Sequence, residues 1–292
     1  LADNSKYAIF AAVLWGINYP LVKGVLSVVN ENTFLVIRFS LAAVLFIAYL
    51  LANGESLRIR REHIFPVLLL GVLGVGLYNL VWTYGIHKTT SANAALLISA
   101  SPIFTAIYSM LSGAEIMTSH KWGGTFIAFA GICIIISNTP GAQFSMESEL
   151  FAGNLLMLVG SGLFSLYAVL AKPLLRYYSP VKLTTLAMLA GSPIIVSYAL
   201  IQMPAAPYSY SAAIWAGILY IVIMGTIVAF IFWYKGVQRT NPFQTIVCHF
   251  IVPVMSMIMG TLFLAEAINT AMVLGAILVF IGLVAVKWES RS

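Results

Sequence analysis

WTYGIHKTT occupies residues Trp82–Thr90, and WYKGVQRTN occupies Trp233–Asn241. The two stretches lie 151 positions apart (233 − 82). Trp82 meets Trp233, Gly85 meets Gly236, Lys88 meets Arg239 and Thr89 meets Thr240. The register then holds without a gap. Pro102 meets Pro253, Glu115 meets Glu266, Gly124 meets Gly275 and Gly131 meets Gly282. Matching Trp, Pro and Glu at one offset is hard to obtain by chance, so the chain is read as an internal repeat. Upstream, the offset changes to 149. Trp15 then faces Phe164, Asn18 faces Tyr167 and Lys23 faces Lys172.

What repeats is a set of membrane spans. The chain has 292 residues, of which 61% are hydrophobic and 8% charged. Its mean hydropathy is +0.98. A soluble domain carries about 25% charged residues, so too little polar surface exists here to face water all round. A spanning helix needs about 20 apolar residues. The chain reads as ten: 7–28, 33–52, 64–86, 91–112, 121–138, 151–173, 182–203, 212–236, 241–264 and 269–287. Turn residues punctuate them, among them Asn53-Gly54, Asn138 to Gly141, Ser179-Pro180, Pro204 with Pro207, and Asn241-Pro242. Lys6 precedes the first run with no small-residue cleavage site, so that run reads as a span and not as a signal peptide.

The expected fold is therefore all-α and polytopic, with a first five-helix repeat over 1–140 and a second over 150–292. Five is odd, so the second repeat enters the membrane inverted. Inverted repeats typify secondary transporters, with the binding site near mid-membrane between the halves.

Charge orients the bundle. Lys6, Arg58, Arg60, Arg61, Lys121, Lys172, Arg176, Lys182, Lys235, Arg239, Lys287 and Arg291 fall on the side of the N-terminus. Lys88 lies opposite, with Glu147 and Glu149. The positive-inside rule then puts both termini in the cytoplasm of a cell inner membrane. The net charge of +6 is read as this topological signal, and nucleic acid is not expected as a partner. The expected partners are the lipid bilayer and a small molecule, and the short loops permit a monomer. Cys133 and Cys248 lie deep in apolar runs and read as buried small hydrophobes. No cofactor or metal is implied. Asp3 is the lone Asp, and H-E-x-x-H, G-x-S-x-G and Walker A patterns are absent from the sequence. Nothing there suggests an enzyme.

Polar residues inside spans are costly, about 2.5–3.5 kcal/mol for a central charge, so they are functional candidates. In WGINYPLVKG (Trp15–Gly24), Trp15, Asn18, Tyr19, Val22 and Lys23 share one helical face. Two readings stand for Asn18: a cavity amide, with Trp15 and Tyr19 as walls, or an amide that pins helix packing. Pro20 should bend the helix and free a carbonyl near Gly16, as a hinge or as a tolerated membrane proline. Lys23 and Arg38 either snorkel outward or attract a departing carboxylate; backbone carbonyls would satisfy a buried Arg38 equally well. Tyr78, Asn79 and Trp82 read as pocket walls, with an interfacial aromatic belt as the rival for Trp82 and for Trp233. Ser101 joins the pocket candidates on the fourth span. Pro102 and Pro253 predict symmetric kinks. Phe164 and Tyr167 are chosen for the opposite wall. His249 is read as a hydrogen-bonding or proton-carrying residue, or as a packing histidine. Glu115 and Glu266 end spans on opposite sides and read as structural.

Several of these motifs are shared. W-G-x-N-x-x-x-x-K in the first span, Arg38 in VIRFSL, and A-E followed by G-x6-G in both halves resemble the drug/metabolite transporter superfamily. More narrowly they resemble the EamA-type ten-helix exporters, including the YddG amino-acid exporters. The resemblance implies export of small metabolites from the cytoplasm through a central cavity. Members move different cargo, so it does not fix the cargo. With amide, hydroxyl and aromatic groups around the expected pocket, neutral and aromatic amino acids are the first expectation. Lipophilic drugs or phosphorylated metabolites come next. A lipid-modifying enzyme or a receptor would need a polar cluster that the sequence lacks.

Overall fold

Inside lipid a backbone must satisfy its own hydrogen bonds, which favours helices for such apolar runs. The computed structural model describes residues 5–89, 91–113, 116–138, 148–204, 209–264 and 269–288. Ten helical segments follow in chain order: α1 (Lys6–Leu26), α2 (Glu31–Ala52), α3 (Arg61–Lys88), α4 (Ser91–Ile98 continued by Ser101–Leu111), α5 (Ser119–Ser137), α6 (Ser148–Leu174), α7 (Pro180–Gln202), α8 (Ala212–Arg239), α9 (Pro242–Ile246 through to Ile251–Leu264) and α10 (Thr270–Trp288). Among the described residues, nine of these are long and apolar enough to cross a membrane, and Thr270–Val286 is a shorter apolar helix. Large apolar side chains such as Leu111, Ile201 and Phe65 are 81%, 80% and 72% exposed. Exposed apolar surface on this scale suits lipid, not water.

The irregularities of the helices obey the 151-residue offset. α3 contains a π-helical segment at Val72–Leu77, and α8 contains one at Ile221–Val228, the match of residues 70–77. α4 breaks at Ser99 and Ala100, and α9 tightens to a 3-10 turn at Val247–Phe250, the match of residues 96–99. Pro102 and Pro253 open the helical pieces that follow. A proline removes one backbone donor, leaving the carbonyl four residues earlier unpaired. Ser101 Oγ donates to the carbonyl of Ile98, the one Pro102 leaves open. Pro20, by contrast, lies within an unbroken α1.

The packing is matched as well. α1 packs on α8 and α9, as α6 packs on α3 and α4, while α2 meets α7 and α5 meets α10. Gly124 and Gly131 of α5 lie against Gly282 and Gly275 of α10. A Cβ on Gly131 would sit 2.5 Å from the Gly275 oxygen, and one on Gly124 would sit 2.8 Å from the Gly282 oxygen. Small residues allow such backbone approach. Because the earlier glycine of one helix meets the later glycine of the other, α5 and α10 run antiparallel.

Two lysines tie helix ends in the same manner. Lys23 Nζ donates to the carbonyls of Ile86, His87 and Thr89 at 2.9, 3.3 and 2.8 Å. Lys172 Nζ donates to Val237 and Gln238 at 2.8 and 3.0 Å, and also to Thr240. Each ammonium closes the carbonyl end of a long helix, where a cation is favoured. Glu115 and Glu266 lie outside the described residues.

Candidate functional site

α1 runs through the middle of the bundle and brings Trp15, Asn18 and Tyr19 to a central cavity. α3 supplies Tyr78, Asn79 and Trp82, and α2 supplies Arg38. Phe164 and His249 line it from α6 and α9. At 1.5 Å per residue, Trp15 lies about 14 Å and His249 about 11 Å along helices that start where the chain starts. Arg38 lies about 11 Å along α2, which starts at the other end. The cavity therefore sits near the middle of the spans.

Two glycines make room for side chains in and beside it. A Cβ on Gly225 would come 2.5 Å from Asn18 Oδ1, and a Cβ on Gly74 would run into the Tyr167 ring. Gly74 and Gly225 are matched at offset 151, and Asn18 and Tyr167 at 149. Both glycines lie in the π-helical segments, whose widened turns are common at functional sites. Trp15 Nε1 donates to the Gly225 carbonyl at 3.0 Å. Asn79 Nδ2 donates to Val75 at 2.9 Å, and Thr226 Oγ1 to Ile221 at 3.0 Å, so each π segment also receives a polar side chain.

The floor nearest the chain start is a cluster of rings. His249 stacks on Phe164 at 4.6 Å with planes 6° apart, and meets Trp15 and Trp233 at 5.0 and 4.9 Å. Trp15 and Phe164, matched in the repeat, touch edge to face at 5.6 Å. Toward the other end, Trp82 Nε1 donates to Tyr19 Oη at 3.2 Å.

Four of the twelve buried side-chain polar atoms without a partner among the described residues belong to this lining. Asn18 Oδ1, Arg38 Nη1 and both ring nitrogens of His249 are buried with no hydrogen-bond partner among the described residues. Each buried orphan costs about 1–3 kcal/mol, and native proteins hold few of them. These four share one cavity, where a polar ligand could pair with them, while the other eight lie outside the lining.

The sequence-based set divides on this geometry. Ser101 and Tyr167 are not part of the lining. Ser101 is packed between α4 and α6, where Ser165 Oγ donates to its carbonyl at 2.7 Å. Tyr167 packs on Gly74 and on the Tyr234 ring at 5.3 Å. Trp82 and Trp233 are 5% and 0% exposed, so neither belongs to an interfacial belt. Arg38 pairs through Nε with Thr226 Oγ1 at 3.0 Å, a hydroxyl and not the expected carbonyls. Ile98, Phe230 and Val252 also line the cavity and were not anticipated. Ile98 is the repeat match of His249, a signal that could have found it.

An all-helical bundle of membrane-length helices, enclosing a central cavity with unspent polar groups, has the build of a multi-pass membrane transporter. The chain belongs to the EamA-like transporter family, which matches residues 6–137 and again residues 151–288. It is similar to the uncharacterized transporter YyaM of Bacillus subtilis strain 168, with 24% identity over 93% of this chain and 89% of that one. An uncharacterized transporter of Archaeoglobus fulgidus is 26% identical over 96% of both chains. A solved crystal structure shares the fold with a TM-score of 0.81 at 19% identity, covering 98% of this chain and 97% of its own.

Proposed function

We propose that this transporter exports neutral amino acids, aromatic ones included, from the cytoplasm across the inner membrane. The observation that carries the reading is the meeting of unpartnered Asn18, Arg38 and His249 groups with aromatic walls in one mid-span cavity. An apolar side chain suits the rings of Trp15, Tyr78 and Phe164. A few directed polar groups fix the orientation of such a ligand. Phosphorylated cargo fits less well, because a phosphate calls for clustered Lys or Arg and Arg38 is the one such residue in the lining among the described residues.

The proposed mechanism is alternating access, with the two halves rocking about a fixed site. The antiparallel crossing of Gly124 and Gly131 with Gly282 and Gly275 supports an inverted relation between the halves. So do the matched lysine ties and the matched π segments. The lysine and arginine asymmetry supports cytoplasmic termini. On that orientation the ring cluster around His249 lies on the cytoplasmic side of the cavity.

The test is counterflow of labelled amino acids in proteoliposomes. Exchange above empty vesicles for phenylalanine, tryptophan or another neutral amino acid supports the reading. No exchange across a panel of neutral amino acids ends it.

A further inference from the structure

The lining's charge says which part of the cargo the cavity grips. Among the described residues, Arg38 is the one charged side chain in the lining, which contains no Asp or Glu. It is 3% exposed. Of its five N–H donors, Nε–H alone reaches an acceptor among the described residues, Thr226 Oγ1 at 3.0 Å. Nη1 is buried without one. The rings of Phe39, Trp82 and Phe34 stand 5.1, 5.7 and 5.8 Å from the guanidinium carbon. Ring faces attract a cation but bring no opposite charge. A guanidinium in such surroundings has no counter-charge among the described residues and a single acceptor, at Nε. A carboxylate supplies both at once, through two oxygens that match the guanidinium fork. An ammonium brought into the same space meets a like charge, with Asn18 Oδ1 as a free acceptor.

Resting on the amino-acid reading above, we infer that the cargo docks a carboxylate on the Nη1 edge of Arg38. Organic cations that lack a carboxylate are refused. The amino group is secondary: it meets neutral acceptors and adds little where Arg38 already sets the charge.

The experiment is inhibition of labelled L-phenylalanine exchange in proteoliposomes by three probes of one shape. These are unlabelled L-phenylalanine, 3-phenylpropionate and 2-phenylethylamine. The expected result is inhibition by the two acids, with the amine at least about tenfold weaker, as one lost charge-assisted pair implies. Arg38→Gln should abolish exchange, and Arg38→Lys, which keeps the charge but loses the fork, should retain part of it. If the amine inhibits as well as the acid, the carboxylate dock is wrong while the amino-acid reading stands. The same holds if Arg38→Gln exchanges like the native protein. If Arg38→Gln does not fold, the comparison of probes on the native protein decides alone. If no neutral amino acid exchanges at all, the amino-acid reading falls, and this inference with it.

Discussion

Replacing Lys23 by Met separates a structural lysine from a cargo lysine. Its ammonium gives three hydrogen bonds to the carbonyl end of α3, at 2.9, 3.3 and 2.8 Å. A hydrogen bond to a charged group is worth about 1.5–3 kcal/mol net, and the helix dipole adds about 0.3–1 kcal/mol. The ammonium is only partly buried, so water replaces it in part and the sum must be discounted. We expect a loss of about 2 kcal/mol, read as a fall in unfolding temperature on the order of 5 °C. Methionine keeps the apolar stem, so packing changes little. Lys172→Met should cost a similar amount, since its ammonium holds Val237, Gln238 and Thr240 in the same way. Thermal unfolding in detergent, followed by intrinsic fluorescence, measures both. Amino-acid exchange per folded molecule should stay near the native value. If Lys23→Met unfolds at the native temperature yet loses exchange, the ammonium serves the cargo and the helix-tie account is wrong. If Lys23→Met destabilises and Lys172→Met does not, the two ties are not equivalent.

Other consequences follow from close contacts and from charge. Gly131→Val places a side chain about where the Gly275 oxygen now lies, 2.5 Å from an ideal Cβ. Parting α5 from α10 should cost about 3 kcal/mol, in the upper range of overpacking, and is read as lost folded yield. Gly225→Ala puts a methyl 2.5 Å from Asn18 Oδ1. The amide must turn away, so exchange should fall more than unfolding temperature does, and equal falls would contradict the placement of Asn18. Among the described residues the lining contains no Asp or Glu. Exchange should therefore run at the same rate with and without an imposed pH gradient, and a gradient-driven increase would assign a proton step to His249 or to a residue outside the lining.

Much of the architecture can be read from residue order alone, because lipid imposes length and composition on each helix. The offset between Trp82 and Trp233 anticipates the matched packing, and the G-x6-G pairs anticipate the α5–α10 crossing, since only glycine permits that approach. Trp15, Asn18 and Tyr19 share a face, and that face does meet the cavity. The remainder depends on long-range partners that periodicity does not encode. Lys23 has a flexible stem, and its acceptors lie more than sixty residues away. Ser101 looks like a pocket hydroxyl, yet its oxygen serves a carbonyl that Pro102 leaves open. Trp82 and Trp233 sit near span ends, where an aromatic belt is the default expectation, but both face inward. The π-helical segments carry no sequence period of their own. Gly74 and Gly225 mark them only through the repeat.

The central claim is that the unpartnered polar groups of the cavity exist for cargo and not for the fold. Asn18→Leu tests it most directly, because leucine keeps the branched outline of asparagine and removes the buried orphan oxygen. Isotopic exchange of phenylalanine and the unfolding temperature are measured on the same preparation. The account predicts that exchange falls at least about tenfold while stability holds or rises, since an unpaired buried polar group is a net cost to folding. Native exchange in Asn18→Leu, or a loss of stability that parallels the loss of exchange, would contradict it.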